Sequence, residues 1–279
     1  MTRFVPLLAV SLTLAACAGR EMVDLEARDI AVQQNAEPAA GAAGAAGVSS
    51  VAHLLPATSP TYVTLTISQT NSEKSGSKSE VGRRAITSGS GFIAEGSGYV
   101  LTAAHVAVAK DNQVSARAAN GRIYSGTVIG ISPDNDMAII KLRGYLGKAV
   151  APAAPGCSNK GDLVYTLGKP HAQGDTARVG ALESRHFGRA VAYGKFGYPD
   201  ALVLRMRTQK GESGGPLFDG NGRLIGMVVS TLSDANGQSI NLAHAVPATA
   251  LANFLCSQTS CSVAWSALSS QATDSCTAS

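Results

Sequence analysis

A serine set among glycines, Gly211-Glu212-Ser213-Gly214-Gly215-Pro216, stands just before the apolar pair Leu217-Phe218. A hydroxyl nucleophile needs free presentation and backbone N–H groups facing the oxygen that turns negative during acyl transfer. Gly211 has no side chain to block a carbonyl, so its N–H and that of Ser213 can form such an oxyanion hole. Gly214 and Gly215 let a substrate and the neighbouring strand come close. Such a turn before a strand is by itself only a turn, and two upstream residues change its meaning. Tyr99-Val100-Leu101-Thr102-Ala103-Ala104-His105 reads as a buried strand ending in small residues and then an imidazole with room beside it. Asp134-Asn135-Asp136-Met137-Ala138-Ile139-Ile140-Lys141-Leu142 puts Asp136 directly before an apolar strand. A carboxylate there can lie partly buried beside an imidazole, fix its tautomer and stabilise the imidazolium. His, Asp and Ser in this order, each in a suitable context, are hard to explain by chance.

The elements that must position these residues are short strands. In Tyr62 to Ile67, Val63, Leu65 and Ile67 alternate with Thr64 and Thr66, the pattern of a half-buried strand. Arg122 to Ile129, Ala138 to Leu142, Leu163 to Gly168, Ala201 to Met206, Leu224 to Ser230 and Ile240 to Val246 also read as strands. Asn-Gly turns at Asn120-Gly121, Asn221-Gly222 and Asn236-Gly237 separate several of them. Polar Asn71 to Glu80 is expected to be an exposed loop. Many short strands with close turns predict an all-β barrel or sandwich. A helical period persists only near the C-terminal end, from Pro247 to Ser257.

With Thr102-Ala103-Ala104-His105, Asp136-Met137-Ala138-Ile139 and Gly211-Glu212-Ser213-Gly214-Gly215-Pro216-Leu217 in hand, the chain resembles the trypsin-like (chymotrypsin-fold) serine endopeptidases. Ser88-Gly89-Ser90-Gly91-Phe92-Ile93 and Asp134-Asn135-Asp136-Met137-Ala138 are most similar to the bacterial HtrA/Deg branch. The resemblance covers roughly residues 60–255. It implies two perpendicular six-stranded antiparallel β-barrels with a short C-terminal helix, and a catalytic cleft between the barrels. It implies His105 as general base, Asp136 as its orienting partner and Ser213 as nucleophile. Gly211 and Ser213 would supply the oxyanion hole, and the chemistry calls for no metal and no cofactor. Trypsin has aspartate where Glu212 stands, paired with a freshly cut N-terminus, and HtrA proteins usually have asparagine. No Ile-Val-Gly-Gly-like activation sequence is present, so Glu212 needs some other cation. The family's C-terminal PDZ domain has no counterpart in the two dozen or so residues after the barrel.

The resemblance also implies a specificity pocket walled by residues just before the nucleophile and by two later strands. By position these are Arg207 to Lys210, Val229-Ser230-Thr231 and Leu242 to His244. Arg207, not aspartate, stands six residues before Ser213, so a preference for Lys or Arg is not expected. His244 at the pocket base and Lys210 at its rim suggest an acidic or polar side chain at the cleaved residue, unless His244 is only a core residue.

The ends of the chain read differently. Arg3, the apolar stretch Phe4 to Leu14 and the lipobox Leu14-Ala15-Ala16-Cys17 make residues 1–16 a lipoprotein signal peptide. Lipid on Cys17 would attach the chain to a membrane without a spanning helix. Ala18, by resemblance to enterobacterial sorting, favours the outer membrane facing the periplasm of a bacterial envelope. Residues 17–59, with the low-complexity run Ala39 to Gly47, are expected to be a flexible tether, with a short helix from Glu21 to Val32. The remaining expected divisions are an N-terminal barrel at 60–155, a C-terminal barrel at 156–255 and a cysteine-containing tail at 256–279.

The formal net charge of +4 over 279 residues is scattered, which gives nucleic-acid binding little support. Protein or peptide substrates are the expected partners, and the oligomeric state stays open. Beyond Cys17, four cysteines (Cys157, Cys256, Cys261 and Cys276) in an exported chain predict two disulfides, with three pairings open. The resemblance places Cys157 in the inter-barrel segment near the C-terminal helix, which favours a bridge from Cys157 to one of the C-terminal cysteines. The leading expectation is a membrane-anchored serine endopeptidase acting on envelope proteins. The alternative is a catalytically idle lipoprotein that uses the same cleft for binding or scaffolding.

Overall fold

The computed structural model describes residues 31–34, 51–73, 80–154, 156, 158–170, 174–233, 236 and 239–271. Apart from a short first strand, β1 (Ala31–Gln34), the chain enters its first barrel at β2 (Tyr62–Glu73). There follow β3 (Glu80–Glu95), β4 (Tyr99–Thr102), β5 (Gln113–Ala118), β6 (Ile123–Ser132) and β7 (Met137–Leu142). They close in the order β2-β3-β4-β7-β6-β5. The alternation in the sequence dictates the inside: Val63, Leu65 and Ile67 are buried, as are Val114, Ala116 and Ala118 on β5. Thr64, Thr66, Ser115 and Arg117 take the opposite face of the same two strands.

The second barrel uses β8 (Leu163–Gly168), β9 (Thr176–Ser184), β12 (Leu202–Arg205), β13 (Pro216–Asp219), β14 (Leu224–Ser233) and β15 (Ser239–Pro247). The order β9-β12-β15-β14-β13-β8 is closed by a β8–β9 pairing, and β1 lies in parallel on β9. Its core includes Val164, Leu182, Leu202, Leu204, Met206, Leu217, Ile225 and Val228. A separate hairpin, β10 (Val191–Tyr193) with β11 (Phe196–Tyr198), projects between β9 and β12. The two six-stranded antiparallel barrels are those expected.

The helices of the described residues include α1 (Leu55–Thr58), α2 (Ala104–Ala107), α3 (Ala248–Gln258) and α4 (Val263–Ser269). The apolar stripe of α3 buries Leu251, Ala252 and Leu255. On α4, Trp265 is 1 % exposed and its Nε1–H donates to the Ala94 carbonyl at 2.8 Å. The C-terminal segment is thus carried back onto the first barrel.

Several expectations change. The tether was expected to run to residue 59, but Val51 is fully buried and α1 packs against the body. Residues 31–34 form a strand on β9 where the end of a short helix was expected; residues 21–30 lie outside the described set. Asn71–Glu73 continues the β2–β3 ladder opposite Glu80–Gly82, because backbone pairing needs no apolar face to continue. Residues 256–279 were expected to be a tail, yet α4 is a packed helix. The spacing from Cys256 to Cys261 allows a local bridge, and these two are bonded to each other with Cα atoms 5.0 Å apart. The favoured bridge from Cys157 to either of them therefore does not form. Cys157 and Cys276 lie outside the described residues, as do Cys17 and the signal segment. No described helix is long and apolar enough to cross a membrane.

Truncating the anchor on α4 tests this packing. Trp265→Ala removes a large buried ring and leaves the Ala94 carbonyl without its donor, so a loss of about 3–5 kcal/mol is expected. Urea unfolding followed by circular dichroism measures it, since the chain has no other tryptophan to report by fluorescence.

Candidate active site between the barrels

Asp136 is fully buried, and its charge must be met by donors. A one-turn 3-10 segment, Pro133–Asn135, delivers it, and Asp136 itself takes the left-handed conformation at φ 45°, which aspartate tolerates better than most residues. Its Oδ1 accepts the backbone N–H of His105 at 2.9 Å, and its Oδ2 lies 2.8 Å from His105 Nδ1. The Tyr193 hydroxyl, from β10, donates to the same Oδ2. Burial, followed by the Asp136 charge and the bond to it, pushes the Tyr193 phenol well above its ordinary value, so it remains a donor. The carboxylate faces Nδ1, so His105 holds its proton there and leaves Nε2 as the basic nitrogen. The ring is partly open, with 25 % of its side-chain surface exposed.

Ser213 follows a tight turn in which the Glu212 N–H bonds the Gln209 carbonyl and the Gly215 N–H bonds the Glu212 carbonyl. Ser90 of β3 clamps this turn from the first barrel. Its N–H donates to the Ser213 carbonyl at 2.9 Å and its Oγ to the Gly211 carbonyl at 2.8 Å. At Gly214, with φ +84°, a Cβ would lie 2.2 Å from the Ser90 carbonyl oxygen and 2.3 Å from Thr102 Oγ1. Only glycine fits there. Among the described residues the N–H groups of Gly211 and Ser213 have no acceptor. They form the pair an oxyanion would need.

The serine turn and the histidine turn meet over β3. A Cβ on Gly89 would touch the Val106 side chain at 2.7 Å and the Ser213 carbonyl at 3.2 Å. The structure brings His105 and Asp136 into direct contact and sets Ser213 on an adjoining segment. The Ser213 hydroxyl, however, points to the Val229 carbonyl at 3.4 Å and makes no hydrogen bond to His105.

Glu212 finds its cation inside the second barrel. Arg178 of β9, 1 % exposed, donates from Nε to Glu212 Oε1, and the Gln209 N–H donates to Oε2 at 2.5 Å. Burial pushes the Glu212 carboxyl up, against the pull of Arg178 and the Gln209 N–H.

The structure distributes the expected pocket residues between the interior and the surface. Val229 is buried, Ser230 and Thr231 half-buried, and His244 fully buried opposite Ser230. A chain of hydrogen bonds runs from Ser230 Oγ through the Tyr198 hydroxyl to His244 Nδ1, each 2.8 Å long. The Phe187 ring covers His244 with centroids 4.3 Å apart. Arg207 and Lys210 are exposed, and the inward place beside Arg207 belongs to Thr208, whose Oγ1 lies 2.5 Å from Thr231 Oγ1.

Tyr193, Arg178 and Tyr198 do not figure in the sequence analysis, where Ser90 enters only within the stretch Ser88 to Ile93 and Thr208 only within Arg207 to Lys210. Arg178 had a usable signal, a cation within the short apolar strand Thr176-Ala177-Arg178-Val179. Tyr193 had a weaker one, the aromatic hairpin pattern Tyr193-Gly194-Lys195-Phe196-Gly197-Tyr198.

Comparison with known proteins adds to this geometry. Residues 89–227 match the trypsin-like peptidase domain. The chain is 34% identical over 167 residues to a probable periplasmic serine endoprotease DegP-like of Brucella suis biovar 1 (strain 1330), covering 59% of this chain and 31% of that protein. It is 34% identical over 162 residues to the putative serine protease HhoA of Synechocystis sp. (strain ATCC 27184 / PCC 6803 / Kazusa), covering 56% of this chain and 40% of that one. The chain thus spans about a third of the length of these curated relatives. The fold matches the HtrA-type protease AlgW with decapeptide at a TM-score of 0.60 and 24% identity, over 72% of this chain and 65% of that one.

Two outcomes follow from the buried charges. Arg178→Met strands the Glu212 carboxylate, and a loss of about 3–5 kcal/mol in urea unfolding is expected. Adding Glu212→Gln recovers most of it. Burial holds His244 below the ordinary histidine value, opposed by Asp200 and assisted by Arg189. The unfolded chain takes up a proton near pH 6.5 that the folded chain resists, so this group costs nothing above that pH and destabilises as the pH falls below it. His244→Phe should therefore shrink the loss of stability between about pH 7.5 and about pH 5.5 by roughly 1 kcal/mol.

Proposed function

We propose a function for this chain from the family it belongs to, the trypsin-like peptidases of the HtrA branch: it is a serine endopeptidase of the bacterial envelope that works through an acyl-enzyme. The observation that carries the reading is the buried Asp136 carboxylate on His105 Nδ1, beside a serine turn whose Gly211 and Ser213 N–H groups are unspent. In this reading the Ser213 hydroxyl turns from the Val229 carbonyl toward His105 Nε2, gives up its proton there and attacks a substrate carbonyl. The Gly211 and Ser213 N–H groups hold the oxyanion. Asp136 stabilises the imidazolium, which then protonates the leaving amine. Water repeats the sequence in reverse to release the acid.

The lipobox ending at Cys17 supports lipid anchoring, and with Ala18 an outer-membrane site facing the periplasm. Envelope proteins are then the substrates within reach. For the residue before the cleaved bond, the hydroxyls of Thr208, Ser230 and Thr231 support a polar side chain. His244, kept uncharged by burial, contributes polarity and no positive charge, so charge recognition there falls to Lys210 at the rim.

One observation favours a second reading. The Ser213 hydroxyl bonded to Val229 is what an idle binding lipoprotein would show. A fluorophosphonate probe separates the two. The folded chain is expected to label at Ser213, Ser213→Ala to lose the label entirely, and Asp136→Asn to slow peptide cleavage by about 10⁴-fold. A folded chain that neither labels nor cleaves supports the idle reading.

A further inference from the structure

The first barrel carries a groove of about 320 Å³ on its outer face, beside the nucleophile. Its floor is hydroxylic, made by Thr64, Thr66, Ser88 and Ser115, and its walls include Arg117 and Lys169. Among the described residues no carboxylate lines it. Among the described residues neither Arg117 nor Lys169 has an ion-pair partner. Both are half-buried. Two unneutralised cations over a polar floor make a site for an anion.

The groove is joined to Ser213 through β3. Gly89, on its edge, lies against the Ser213 carbonyl, and the Lys169 N–H donates at 3.3 Å to the same Ser90 Oγ that clamps the serine turn. Ser213 stands between two strands. On one side is Val229 of β14, the strand that bears the proposed pocket wall; on the other is Ser90 of β3. A peptide whose acyl part lies along Val229–Thr231 must send its leaving part over β3. Gly89 lets β3 lie close to the serine turn, because a Cβ there would collide with the buried Val106 side chain and crowd the Ser213 carbonyl.

We propose that this groove receives the leaving segment of the substrate and selects a carboxylate at the second or third residue after the cleaved bond. The proposal rests on the endopeptidase reading. The position follows from strand spacing. Gly89 pairs with Leu65 and Leu65 with Ala116, so β5 lies two strand spacings, about 10 Å, from the nucleophile's edge. An extended peptide covers about 3.3 Å per residue, so its second or third residue comes within reach of the Arg117 side chain.

The test uses the full chain and internally quenched peptides that share one acyl-side sequence and carry Ala, Glu or Lys at the second and third leaving positions. Glu is expected to raise kcat/KM about fivefold over Ala, Lys to lower it, and the contrast to shrink with added salt. The readout is the Glu-to-Ala ratio, which cancels any change in the folded fraction. In the double variant Arg117→Ser with Lys169→Ser that ratio falls to about one. A ratio of about one in the unmodified chain, or a ratio that survives in the double variant, overturns the groove assignment alone. No cleavage of any peptide together with no fluorophosphonate labelling overturns the endopeptidase reading, and the groove with it.

Discussion

One buried carboxylate sets the terms for the rest of this molecule. Asp136 has no access to water, so its charge is tolerable only if donors surround it. Those donors come from two places in the chain. The first barrel supplies the N–H and the imidazole of His105; the hairpin between β9 and β12 of the second barrel supplies Tyr193. Neither barrel alone completes the set. The cleft is therefore fixed by the need to satisfy a charge as well as by apolar packing, and the imidazole is oriented by the same bonds that make the burial tolerable.

A second buried carboxylate repeats this logic around Ser213. Glu212 immediately precedes Ser213, and its partner Arg178 sits on β9, 34 residues upstream in sequence. With the Gln209 N–H on its other oxygen, the Glu212 side chain is held from both sides, and so is the turn that aims the N–H groups of Gly211 and Ser213. Trypsin meets the same need with a cut N-terminus; here the cation is built into a strand. The turn is consequently shaped by folding itself and requires no cleavage of the chain to bring in a positive charge.

What the sequence discloses follows the range of the interactions involved. Strands with a period of two, such as Val63-Thr64-Leu65-Thr66-Ile67, announce their buried face locally, and eight strands were legible on that basis or from apolar runs. His105, Asp136 and Ser213 stand out in the sequence because each has a local context that would suit acyl transfer. β9 was missed because Thr176 to Ser184 mixes Arg178 and Gly180 into an apolar strand, and both choices answer to distant neighbours: Glu212 for the first, Met206 for the second. The role of Tyr193 does not show locally, because its partner, Asp136, lies 57 residues away. Pairings of this kind leave a residue that looks out of place, and Arg178 is the clearest example. The Cys256–Cys261 bridge was misjudged for the opposite reason, since a long-range closure was preferred where a five-residue spacing sufficed.

The hydroxyl of Ser213 faces the Val229 carbonyl and not His105, and turning it would cost little. Its bond to the Val229 carbonyl is 3.4 Å long, well beyond the 2.7–2.8 Å typical of hydroxyl donors, so little is lost when it breaks. Turning a serine side chain between staggered wells takes picoseconds to nanoseconds. The expensive parts of the site are the ones already in place. Two buried carboxylates are compensated, two N–H groups are held free by a clamped turn, and a glycine is fixed where no side chain fits. Order resides in the backbone and the buried charges, while the Ser213 hydroxyl is left as a rotor beside them.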